Sequence, residues 1–99
     1  MRFRFSDKKL EALYESGEGK EKYHDEITDL FLRRVRAIEA ANDERDLRAM
    51  KSLHFEKLRG QKNRYSIRLN KQWRLLLTFV SDKEGKIVVI IEINKHYEN

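Results

Sequence analysis

Two hydrophobic periods share this chain, and the switch from one to the other restricts its fold more than any other feature. Ile27, Leu30, Phe31, Val35, Ile38 and Ala41 recur at i, i+3 and i+4 spacing. They form one apolar stripe on a helix expected from about Tyr23 to Ala41, with charged residues over the rest of its surface. From Tyr65 the period is two. Tyr65, Ile67 and Leu69 point one way, and Arg64, Ser66 and Arg68 the other. Trp73, Leu75, Leu77 and Phe79 repeat the pattern in a second strand, with Arg74, Leu76 and Thr78 opposite. A striped helix needs an apolar surface to cover, and an alternating sheet supplies one. The expected class is α+β, with helices on one face of the sheet and an open, cationic face carrying Arg64, Ser66, Arg68, Arg74 and Thr78.

The remaining elements fit around this frame. Arg2 to Phe5 reads as a short strand with Phe3 and Phe5 on one side. Ser6 is a candidate cap for a first helix through Leu10, Leu13 and Tyr14, with Asp7 placed for the helix dipole and Gly17 and Gly19 ending it. Asn42 or Asp43 is expected to cap a third helix through Leu47 and Met50. Asn70–Gln72 and Ser81–Gly85 read as turns. Lys86 to Asn94 is apolar on both faces, as in a central strand. If Ile87, Val89, Ile91 and Ile93 face the helices, then Glu92, Asn94 and His96 share the open side with Arg74. With no linker, repeat or low-complexity tract, residues 1–99 are expected to form one domain.

Charge is unevenly spread. Residues 1–50 carry 11 basic and 12 acidic side chains, whereas residues 51–99 carry 11 and 5. Within residues 51–74, eight cations (Lys51, Lys57, Arg59, Lys62, Arg64, Arg68, Lys71 and Arg74) face a single acid, Glu56. Such a patch concentrates polyanions. The chain has no cysteine, which excludes a thiol nucleophile and thiolate metal sites and suits a reducing compartment. The amino-terminal residues are too charged for a signal peptide, and the longest apolar run, Ile87–Ile91, is too short for a membrane span. A cytoplasmic location is expected.

One run is more specific than composition. Leu53-His54, then Lys57-Leu58-Arg59-Gly60, then Tyr65-Ser66-Ile67-Arg68-Leu69-Asn70-Lys71-Gln72-Trp73-Arg74 resembles the core signature of HigB-type toxins of the RelE/ParE superfamily. The resemblance implies a RelE-like microbial ribonuclease fold, an N-terminal strand and helical hairpin packed on a twisted, mostly antiparallel sheet. It implies the toxin of a type II toxin–antitoxin system, cutting messenger RNA on the ribosome. It also implies a HigA-type helix-turn-helix antitoxin, through which alone the toxin would meet operator DNA. The family commonly ends Asp-Tyr-His, where this chain has Lys95-His96-Tyr97.

RNA cleavage without a metal uses the 2′-hydroxyl as nucleophile, and needs a base, an acid and cations around phosphorus. The candidates are Arg74, whose planar fork suits phosphate, with Lys57, His54, His96 and Tyr97. Lys57 and Arg59 compete for the family's lysine position before the glycine. Lys51, Arg59, Lys62, Arg64, Arg68 and Lys71 are candidate RNA contacts. His24, His54 and His96 lack metal-ligand spacing, and no cofactor is expected. Two other readings fit the same scaffold: a ParE-like gyrase inhibitor that cuts nothing, and a non-catalytic RNA- or ribosome-binding module.

Overall fold

The computed structural model describes residues 1–95. Strand β1 (Arg2–Phe5) leads into helix α1 (Lys8–Ser16), a 3₁₀ turn at Lys20–Lys22, and the long helix α2 (Asp25–Ala40). Helix α3 (Glu44–Ala49), a second 3₁₀ turn at Lys51–Leu53 and a two-residue strand β2 (Glu56–Lys57) follow. Strands β3 (Tyr65–Arg68), β4 (Trp73–Asp82) and β5 (Gly85–Lys95) complete one five-stranded sheet, ordered β1-β5-β4-β3-β2. Every pairing is antiparallel except β1 with β5.

The α2 stripe lies where its spacing put it. Ile27, Phe31, Val35 and Ile38 are buried in one core with Ile67, Leu75, Leu77, Val88 and Ile90 from the sheet. Phe3, Phe5, Tyr14 and Phe31 add a cluster of ring contacts that joins β1, α1 and α2. Trp73 packs against this core and meets Tyr23 edge to face at 6.1 Å, so it is not an exposed stacking platform.

Several expectations are corrected. Asp7, not Ser6, caps α1: its carboxylate accepts from the Leu10 N–H at 2.8 Å, while the Ser6 hydroxyl donates to the Ile91 carbonyl at 3.0 Å. Helix α2 starts at Asp25, because Tyr23 closes the preceding 3₁₀ turn. Asp43 caps α3, accepting from the Arg45 and Asp46 amides. The last turn shrinks to Lys83-Glu84, since pairing persists to Asp82 and Gly85. Strand β2 has no counterpart among the expected elements.

The main correction is in β5. Leu77 pairs with Ile90 and Leu76 with Glu92, so Ile91 is the extra residue of a β-bulge. Before the bulge, Val88 and Ile90 face the helices, not Ile87 and Val89. After it, Ile93 joins the core row beside Leu75, and Glu92 and Asn94 fall on the rows of Leu76 and Arg74. Phase is lost at one residue and the open-face assignment of Glu92 and Asn94 is kept. His96 and Tyr97 lie outside the described residues.

Candidate active site

The open face can be read row by row from the register. Arg68 is directly opposite Arg74, which is opposite Asn94. The next row runs Glu56, Ser66, Leu76, Glu92, and the one beyond it Thr78, Val89, Arg4. Like charges directly opposite each other destabilise a sheet. The Arg68–Arg74 pair is therefore a local cost that packing does not explain.

Each cation is held from the side. Arg68 donates from Nε to the Asn70 carbonyl at 3.2 Å, and its Nη1 lies 3.4 Å from His54 Nε2. A guanidinium has only donors, so the imidazole nitrogen accepts in this contact. Arg34, half-buried on α2, donates from Nε to the Arg68 carbonyl at 2.9 Å, tying the helix layer to the site. Burial, then the charge of Arg33, lowers the pKa of Arg34. Asn70 shapes the β3–β4 turn by accepting from the Gln72 and Trp73 amides at 2.9 and 2.8 Å.

Arg74 is largely enclosed, with 18% of its side chain exposed. Its Nη1 is buried and has no hydrogen-bond partner among the described residues, and the same holds for Ser66 Oγ. The Glu56 carboxylate lies 3.7 Å from that nitrogen, which is an ion pair but too long for a hydrogen bond.

His54 is exposed, although Leu53 and Phe55 on either side are buried. Its backbone is left-handed (φ 44°, ψ 48°), which L-residues with a Cβ rarely adopt. The kink ends the Lys51–Leu53 turn and presents the imidazole to Arg68. A sequence pattern carries no signal for it, since left-handed residues are usually found through glycine or asparagine.

The predicted cations divide. His54, Arg68 and Arg74 are brought together. Lys57 is the Cα partner of Tyr65, a residue on the core-side row, so register puts it on the opposite face from Arg74 at the sheet edge. Lys51, Arg59, Lys62 and Lys71 are exposed in the turns and connections that flank β2 and β3, Arg64 is half-buried, and none of the five has a carboxylate partner among the described residues. Sequence reasoning missed Glu56 as a member of the site, and also Arg4 and Arg34. The Arg2-Phe3-Arg4-Phe5 alternation holds the signal for Arg4, but the register that lands it on the open face depends on the β1–β5 pairing. Among the described residues, no cluster of three His, Asp or Glu side chains could hold a metal ion, and no helix is long and apolar enough to cross a membrane.

A helix layer covers one side of the mostly antiparallel sheet, and Arg68, Arg74 and His54 cluster on the other. A solved YoeB/ParE toxin from Agrobacterium tumefaciens matches this fold over 98% of this chain and 100% of its own, with a TM-score of 0.60 at 12% identity. The family model for HigB-like toxins, RelE-like toxins of type II toxin–antitoxin systems, matches residues 3–97. Toxin HigB-1 of Vibrio cholerae serotype O1 is 37% identical over 81 residues, which cover 81% of this chain and 85% of that protein. The chain belongs to the HigB-like toxin family. As a type II toxin it has an antitoxin partner.

Proposed function

We propose that this toxin is a ribosome-dependent endoribonuclease that cuts messenger RNA without a metal, through attack of the 2′-hydroxyl on the adjacent phosphorus. The observation that carries this reading is the opposed Arg68–Arg74 pair on the open face, with the His54 imidazole against it. Two neighbouring forks with unmet donors fit a phosphate that gains charge in the transition state. Arg74 stabilises that phosphorus, and His54 acts in proton transfer, a role that His96 shares in this reading. Tyr97 stacks on a base. Lys51, Arg59, Lys62, Arg64 and Lys71 hold the RNA backbone around this centre, and Lys57, on the other face, has no part in it. The antitoxin is a HigA-type helix-turn-helix protein encoded beside the toxin, and operator DNA is reached through it. A toxin that acts on ribosomes works in the cytoplasm.

The test is cleavage of messenger RNA on purified ribosomes by wild type and Arg74→Ala. Wild type cuts, and the variant loses roughly 100-fold or more in rate, the size seen when one donor to a developing oxyanion is removed. Equal inertness of two folded proteins sinks the enzyme reading.

A further inference from the structure

Glu56 is the one acid among residues 51–74, and it stands beside Arg74, whose side chain is only 18% exposed. Its register partner is Ser66, so it shares the open face with Arg74, while its neighbour Lys57 takes the other face. A carboxylate serving only to neutralise Arg74 gains most by closing into a forked hydrogen-bonded pair. Glu56 stops 3.7 Å short, and 58% of its side chain is exposed. It also makes no hydrogen bond to Ser66, whose buried hydroxyl is left unpartnered among the described residues. An acid-base group of a free enzyme often stands at such a loose distance and tightens only with substrate. His54, the other proton carrier described beside these arginines, already turns Nε2 toward Arg68.

We infer that Glu56 is the general base of the cleavage step, an assignment that rests on the ribonuclease reading. A phosphate seated on Arg68 and Arg74 brings the adjoining ribose beside the Glu56 carboxylate. Glu56 takes the proton of the 2′-hydroxyl as that oxygen bonds to phosphorus. The bond from phosphorus to the 5′-oxygen breaks, and the departing oxygen receives a proton from the general acid, a role left to a histidine. The products are a 2′,3′-cyclic phosphate and a 5′-hydroxyl end. No oxidant, reductant or metal enters the balance.

The experiment is single-turnover cleavage on programmed ribosomes by wild type, Glu56→Gln and Glu56→Asp, with ribosome retention measured alongside. Glu56→Gln keeps the shape and removes the basic oxygen. Its cleavage rate at saturating ribosomes falls by roughly 100-fold or more, while retention is unchanged or stronger because a negative charge has left the path of the RNA. Glu56→Asp recovers part of the rate. A Glu56→Gln protein that cuts as fast as wild type overturns the assignment and leaves the nuclease reading standing. So does a loss that appears wholly as weaker retention. A wild type that cuts nothing overturns both.

Discussion

At the scale of single residues, the site is held by two unfavourable choices: a left-handed histidine and a pair of facing arginines. Left-handed backbone costs roughly 1–2 kcal/mol for a residue with a Cβ, and His54 carries it. His54→Gly separates that backbone cost from the imidazole. The variant is expected to melt no lower than wild type while its ribosomal cleavage falls sharply, and a full cleavage rate in the folded variant would remove His54 from the mechanism. Asp82 gives a test that concerns stability alone. The hydrogen-bonded Arg2 guanidinium, with the Glu84 amide, holds its carboxyl at about 2, below the ordinary 3.8. The stabilisation it gives is fully present above about 4 and fades as pH falls toward 2. The pair is at the surface, so the effect is small. Asp82→Asn should flatten the acid limb of the melting-temperature profile in that window and leave the neutral range nearly unchanged. Arg74 is legible from its place after Trp73, but Glu56 is not. Its importance depends on which face of a two-residue strand it occupies, and two residues show no alternation.

At the scale of elements, the sequence is legible where periodicity runs long and opaque where one residue decides. The α2 stripe and the β3–β4 alternation each repeat several times, so their faces follow from spacing alone. The 3₁₀ turns, β2 and the bulge at Ile91 each hang on a single hydrogen-bonding choice, and an apolar run such as Ile87–Ile91 has no polar marker to show where phase slips. Caps show the same contrast. Ser6 and Asp7 are both good cap types, and the chain commits Ser6 to the β5 carbonyl of Ile91. Asp7→Ala is therefore expected to cost about 1 kcal/mol, read as a drop of about 4–8 °C in melting temperature. Ser6→Ala should cost less, because the helix keeps its cap.

At the scale of the whole molecule, charge is divided between the two halves of the chain. The first half of the chain is near neutral, and ion pairs such as Asp29–Arg33 and Glu44–Arg48 lie within its own helices. The second half keeps Lys51, Arg59, Lys62 and Lys71 exposed, with no carboxylate partner among the described residues. Reversing three of these together (Lys51→Glu, Arg59→Glu, Lys62→Glu) leaves the core untouched. Binding to single-stranded RNA should weaken, and the slope of log affinity against log salt should drop by up to roughly 2, about 0.7 for each phosphate no longer neutralised. An unchanged slope would show that these residues touch no phosphate. Composition already displays this asymmetry, but only the fold shows that these surplus cations lie exposed in the turns and connections that flank β2 and β3.

The pairing of β1 with β5 also sets an order of events. Arg2 to Phe5 are made long before their sheet partners, Ile87 to Ile90. As the chain leaves the ribosome, β1 has no strand beside it, and the long side of β4 stays bare, until β5 follows them out. Pairings this distant in sequence form late. For a toxin, the delay is a safeguard in time: synthesis has passed residue 90 before a finished sheet exists in the cell that made it.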